Sequence, residues 1–503
     1  MRARLLLLLI GLHGIYSQRP TLPLDEITTT TSSSVSYSIA EDNESTLTLT
    51  FALCSPTNAG TTPKVFISDI GNADSLPDTD EYSHEVIFEN GLATFSADFM
   101  LGGILAIQNP SRLSLEIGLS SSGPIHQMKS SLPVLGDTTS TQAILFSYPL
   151  LPFSTKYPFN PDPSPSFPNY TFPAANMAQP PIPQDLPPNN ISLVILESSS
   201  SNTPQTTCFL SSQSSAGTLV SSSLWARDSS GFRFQYLISN LNPQTNYTAY
   251  LIDSSSASRL TAGPVYFTTK SPSFACTLTH NLPFCPSVAY SIPLGPPATS
   301  SSNFSSYTAD NLPSSISSPL LSYFANFTTV LSTFPCGRDI YSPLVTCTDC
   351  EIEYRKWLCA LSFPRCAEPP PPLASSWSPV APDPSATGLP PQNPLSLQHP
   401  VPLPALLPIT PSVPLRNPFF PTNFSQSTTT YTLLPCIEQC YAVDRACPPF
   451  LGFRCPSGHF NAAFSYALGY IDKVDSDGGH GDRGMGLTGA AQDRWGNVWC
   501  LMV

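Results

Sequence analysis

Fourteen cysteines, and the way they are bunched, restrict this chain more than any other feature of it. Cys336, Cys347, Cys350, Cys359 and Cys366 fall within CGRDIYSPLVTCTDCEIEYRKWLCALSFPRC, and Cys436, Cys440, Cys447 and Cys455 answer them across a proline-rich gap. Cys276 and Cys285 lead in, Cys500 follows, and Cys54 and Cys208 stand alone far upstream. An even number permits full pairing, and in a secretory chain such cysteines read as disulfides. The two dense blocks are expected to fold together, and the function to reside in the module they build.

The secretory context comes from the first residues. Arg2 and Arg4 precede the apolar run Leu5 to Leu12, with small residues at Gly14 and Ser17, so residues 1–17 are expected to be a cleavable signal peptide. Seven Asn-x-Ser/Thr tripeptides follow, at Asn43, Asn169, Asn190, Asn246, Asn303, Asn326 and Asn423, and all are candidates for glycosylation. Charged residues make up only 11% of the chain, against about 25% for ordinary globular proteins, so sugar is the expected source of solubility. No later stretch reads as a membrane span; the best candidate, Val401 to Ile409, is interrupted by Pro402, Pro404 and Pro408. Trp499-Cys500-Leu501-Met502-Val503 lacks the hydrophobic tail of a GPI signal. The net charge of −13 argues against a nucleic-acid partner.

Residues 18–151 carry short strand candidates separated by turn residues, and Ser45 to Phe51 alternates as a half-buried strand does. Residues 152–188 are a proline-rich spacer. Residues 189–270 form a second β-rich segment, in which Leu241-Asn-Pro-Gln-Thr-Asn-Tyr247 resembles the tyrosine corner of fibronectin-type-III-like sandwiches. A bridge between Cys54 and Cys208 would join these two β-rich segments; the sequence leaves that pairing open. The cysteine-rich part divides into residues 271–366 and 432–503 around a Pro/Ser-rich insert, 367–431, expected to be disordered or extended. A helix capped by Thr346 or Thr348 and stopped by Pro364 would place Cys350, Tyr354, Trp357, Leu358 and Leu361 on one face. Leu320 to Leu331 is a second helix candidate, and Cys436, Cys440 and Cys447 share one side of a third. The fold expected overall is multidomain: an all-β, sandwich-like N-terminal part followed by a disulfide-rich, mainly helical, frizzled-like cysteine-rich domain.

Chemistry finds little purchase. Cys347-x-x-Cys350 could be half of a zinc site or a redox pair, but zinc needs a second paired motif and a redox dithiol a thioredoxin-like setting, so structural disulfides are preferred. Asp472, Asp475, Asp477 and Asp482 invite a calcium loop, yet the closing Glu of an EF-hand is missing. There is no Gly-x-Ser-x-Gly elbow and no zincin histidine pair. The expectation is a non-enzyme with neither cofactor nor metal.

CTLTHNLPFCPSVAY, then DIYSPLVTCTDCEIEYRKWLCALSFPRC, then CIEQCYAVDRACPPFLGFRCP with AQDRWGNVWC, resemble the fungal stretch-activated calcium channel component, needed for calcium influx and survival during mating-pheromone exposure. The resemblance implies a glycosylated extracellular subunit at the plasma membrane, reached through the endoplasmic reticulum. Its implied partner is a four-repeat, voltage-gated-type pore subunit. It also implies likeness to frizzled-type domains and to the auxiliary subunit of the animal sodium leak channel. By position, the family's cysteines fall on Cys336, Cys347, Cys350, Cys359, Cys366, Cys436, Cys440, Cys447, Cys455 and Cys500. Tyr341, Trp357, Arg365, Phe450, Arg494 and Trp495 are the candidate partner-binding residues, with Asp444 and Asp493 among the matching motif positions. A cell-wall or adhesion glycoprotein, or a lipid-binding ectodomain, is the competing reading.

Overall fold

The computed structural model describes residues 19–42, 46–56, 62–68, 84–129, 132–151, 167–176, 190–198, 203–228, 230–254, 258–297, 306–368, 406–409, 417, 419–420, 430–456, 465–466, 490–492 and 498–501. The signal peptide, Asn43, Asn303, Asn423, the acidic loop from Asp472 to Asp482, and Asp493, Arg494 and Trp495 lie outside them. The chain divides into two units.

The first comprises Met1–Gln127, Asn202–Ser212 and Asp253–Thr261. Its described residues form two four-stranded sheets. One orders Glu26–Thr30, Leu115–Ser120, Leu47–Leu53 and Leu92–Ala97; the other orders Ser34–Ile39, Gly103–Gln108, Lys64–Ser68 and His84–Val86, with every pairing antiparallel. Leu49, Phe51, Ile67, Phe99, Leu105 and Ile117 meet in the shared core. Leu47–Leu53 is buried along its whole length rather than on one face. Its polar positions gain cover on the second side, where the Thr50 hydroxyl lies 2.9 Å from His126 Nδ1. A short helix, α1 (Thr207–Ser212), is tied to this unit by the Cys54–Cys208 bridge.

The second unit comprises Met128–Ser201, Gln213–Ile252 and Ala262–Val503. Val134–Thr138, Ala143–Phe146, Gly231–Ser239 and Thr218–Asp228 form an antiparallel sheet in that order. Ile191–Glu197, Asn246–Asp253 and Arg259–Thr268 lie side by side in another. The corner suggested by Leu241 to Tyr247 is present: the Asn242 N–H donates to Tyr247 Oη at 2.8 Å. Among the described residues three longer helices follow, α2 (Ser314–Leu331), α3 (Cys347–Ser362) and α4 (Ile437–Ala446). Around them lie a Thr277–Thr279 and Tyr290–Ile292 hairpin, a three-stranded sheet and a two-stranded one. In the three-stranded sheet Leu406–Ile409, from within the proline-rich insert, pairs with Thr430–Leu433.

The mainly helical cysteine-rich domain is therefore corrected. The described residues are 39% strand against 17% helix, and β-structure enters the cysteine-rich half as well. Of its twelve cysteines only Cys347, Cys350, Cys359 and Cys440 lie inside helices; Cys366 and Cys500 are on strands and the rest on turns, bridges and connecting segments. Thiols at helical spacing reveal the helices, but their partners sit on turns, bends and connecting segments, whose pattern cysteine spacing does not carry. Among the described residues, no helix is long and apolar enough to cross a membrane.

A disulfide-pinned aromatic face

All fourteen cysteines are paired. Helix α3 is held at three points, by Cys336–Cys347, Cys350–Cys447 and Cys285–Cys359, while Cys276–Cys366 fixes the strand that follows it. Cys440–Cys455 and Cys436–Cys500 secure α4. Cys350–Cys447 has a special place. Every other bridge of the module joins residues on one side of the insert, so this one alone links the two cysteine blocks covalently.

Local sequence explains where α3 begins. Thr346 is its N-cap: the Asp349 N–H donates to Thr346 Oγ1, and the Thr346 N–H donates to Asp349 Oδ2 at 2.8 Å. The helix ends at Ser362, two residues before Pro364. Its most buried face is not the aromatic stripe but Glu351, Arg355 and Cys359. Glu351 and Arg355 form a buried ion pair at 2.7 Å, with the guanidinium 4.4 Å above the Phe324 ring on α2. Burial raises the Glu351 carboxyl above its ordinary pKa, and Arg355 only partly offsets this.

The stripe that the sequence singled out forms half-buried packing beside that face. Phe327 of α2 and Tyr354 of α3 stack with ring centroids 3.6 Å apart, and Phe453 meets both Tyr354 and Trp357 edge-on. The Trp357 indole N–H donates to Tyr466 Oη at 3.0 Å. Tyr341 donates to the Ala446 carbonyl at 2.8 Å and meets Phe334 edge-on, and Phe334 stacks on Phe450. Two of the candidate partner residues, Tyr341 and Trp357, thus belong to one aromatic cluster with Leu331, Val443 and the bridges Cys336–Cys347 and Cys350–Cys447, and a third, Phe450, stacks on its Phe334. Phe450 is 52% exposed, and the loop carrying Tyr341 turns out Ile340 and Leu344, at 83% and 89%. The sequence reading missed these two aliphatic residues because periodicity is silent in a turn.

Arg365 lies elsewhere. It is buried, and its guanidinium donates to Asp137 at 2.9 Å, so it serves the interior and not the surface. Burial alone would raise the Asp137 carboxyl; Arg365, Lys270 and the Ser291 hydroxyl and N–H outweigh it and hold the pKa below its ordinary value. Asn169, Asn190 and Asn326 are exposed, the last on α2. Asn246 is half-buried on a strand, where its side-chain oxygen accepts from Thr268 Oγ1 at 2.7 Å. Among the described residues two acid–cysteine groupings approach metal-site geometry, around Cys54–Cys208 and Cys436–Cys500, but both use sulfurs already joined in disulfides.

Residues 46–478 match the family Mid1, described as "Stretch-activated Ca2+-permeable channel component". The chain is 34% identical over 412 residues to "Stretch-activated cation channel MID1" of Cryptococcus neoformans var. grubii, covering 77% of this chain and 62% of that protein. It is 29% identical over 232 residues to the Saccharomyces cerevisiae protein of the same name, covering 44% and 35%. With "Stretch-activated cation channel yam8" of Schizosaccharomyces pombe it shares 30% over 239 residues, covering 46% and 40%. The chain thus spans less than two thirds of the length of each of these relatives.

Proposed function

The chain belongs to the Mid1 family of stretch-activated Ca2+-permeable channel components, and on that footing we propose that it is an extracellular, glycosylated regulatory subunit of a voltage-gated-type calcium channel. Its mechanism is binding. The cysteine-rich module docks on extracellular loops of a pore-forming subunit in the plasma membrane and promotes calcium influx under stretch, stress or pheromone.

The observation that carries this reading is the juxtaposition of rigidity and exposed apolar surface. Ile340, Leu344 and Phe450 stand out beside an aromatic cluster whose helices are cross-linked through α3 and α4. Apolar side chains exposed together mark interaction sites. Aromatic anchors held in place beforehand lose little conformational freedom on binding. The exposed sequons Asn169, Asn190 and Asn326 suit a sugar-bearing extracellular chain.

Affinity purification of the full chain from detergent extracts of its own cells tests the proposal. A polytopic channel protein should co-elute. Wall glucan or bound lipid in its place would favour the adhesion or lipid-binding reading and overturn this one.

A further inference from the structure

Residues 167–176, FPNYTFPAAN, read in the sequence as part of a spacer, yet they lie against the helical module. From Tyr170 onward, Tyr170, Phe172, Pro173 and Ala175 are half-buried while Thr171, Ala174 and Asn176 face solvent. The segment belongs to no sheet, and among the described residues no backbone-to-backbone hydrogen bond ties it to another element. Its side chains and one carbonyl do the holding. Tyr170 and Phe172 join the aromatic cluster, Tyr170 Oη lies 2.6 Å from Thr348 Oγ1, and the Ala175 carbonyl accepts from Arg355 Nη1 at 3.0 Å. At its start, the Arg338 guanidinium sits 5.0 Å over the Phe167 ring.

We propose that the face of α2 and α3 lined by Phe327, Thr348, Tyr354 and Arg355 is a peptide-recognition site for an extended segment bearing proline and aromatic residues, occupied in this chain by its own residues 167–176 as a releasable strap. Docking of a proline-bearing segment over an aromatic-lined surface is a recurrent binding mode. Arg355 suits the role because Glu351 fixes it from below, leaving Nη1 directed at the peptide carbonyl. Tethering explains why the strap stays: a short covalent connection gives an effective concentration in the millimolar range. The inference does not depend on the identity of a channel partner, and its site lies beside the exposed loop rather than on it.

The test uses the full, glycosylated chain and a fluorescein-labelled peptide of residues 167–176. In Tyr170→Ala/Phe172→Ala protein whose seven-bridge map is intact, the peptide should bind saturably, about tenfold or more tighter than to the unsubstituted chain, where the tethered strap competes. Adding Thr348→Val should weaken that binding by about three- to tenfold, the loss of one hydrogen bond. A peptide with alanine at its own Tyr170 and Phe172 positions should not bind. Absence of binding to the correctly bridged variant, or equal binding of the alanine peptide, overturns the proposal. If the double variant does not fold, chymotrypsin on the unsubstituted chain decides. Cleavage after Tyr170 or Phe172 under native conditions, with the bridges and near-UV circular dichroism unchanged and the labelled peptide then binding, supports a releasable strap. Cleavage only on global unfolding refutes it.

Discussion

Removing Cys350–Cys447 should cost more stability than removing Cys440–Cys455, although both bridges end on α4 or its flank. The reason is the loop each one closes. Cys350 and Cys447 are 97 residues apart, Cys440 and Cys455 only 15. The other bridges do not shorten the longer path, because none of them spans the insert. Chain-entropy reasoning assigns about 4.7 kcal/mol to a loop near 100 residues and about 3 kcal/mol to one of 15. The difference, about 1.7 kcal/mol, is the quantity to measure. The variants are Cys350→Ala/Cys447→Ala and Cys440→Ala/Cys455→Ala, each unfolded in urea without reductant beside the unsubstituted protein. Both Cys350 and Cys447 are buried, so lost packing adds to the first cost and does not reverse the order. A non-reducing gel gives an independent reading: a chain cut by protease within residues 369–405 should stay in one piece when Cys350–Cys447 is present and separate when it is absent. Equal destabilisation by the two variants, or a cut chain that separates with the bridge intact, would refute the reasoning.

Three further outcomes follow from the interior. Asp137, with its pKa depressed in the folded state, contributes stability that is present above the unfolded value of 3.8 and lost as pH falls through the folded pKa. Asp137→Asn should therefore flatten the acid limb of a stability–pH curve. At neutral pH it should cost about 3–5 kcal/mol, because Arg365 is left buried without its partner; an unchanged acid limb would count against the pair. Glu351 has the opposite sign. Its raised folded pKa gives a contribution present below the unfolded value of 4.5 and lost as pH rises through the folded pKa, so Glu351→Gln should be relatively more stable near neutrality than in acid. A double-mutant cycle on Phe327→Leu and Tyr354→Leu should return a coupling of about 0.5–1.5 kcal/mol for the stacked rings, and additive losses would contradict the contact.

Much of this module is legible from residue order, and its limits are physical. The cap at Thr346 and the stop before Pro364 bracket α3 because both act locally. Pro319 misleads: a helix beginning just after it is the economical reading, whereas α2 starts at Ser314 and takes the proline inside. Burial of Ile316 and Leu320 on either side outweighs the lost hydrogen bond there. Non-local facts were out of reach. Ala143–Phe146 reads as the last strand of the first β-rich segment, yet it pairs with Gly231–Ser239, and nothing in either strand names the other. Arg365 and Asp137 are 228 residues apart, so by sequence alone the arginine reads as a surface anchor although its partner lies in a distant strand. The cysteines show where the module is, but spacing alone gives neither their pairing nor the turns, strands and connecting segments that carry most of them.

The central claim is that the cross-linked module presents Ile340, Leu344 and Phe450 to a membrane partner. The measurement that tests it most directly is the amount of pore-forming channel protein co-purified with Ile340→Asp/Leu344→Asp, at surface levels matched to the unsubstituted chain. Both side chains are more than four-fifths exposed, so the substitutions should leave the bridges and stability unchanged. The account expects recovery of the partner to fall at least tenfold, with stimulated calcium influx falling alongside it. Undiminished recovery of the partner by the variant would contradict it.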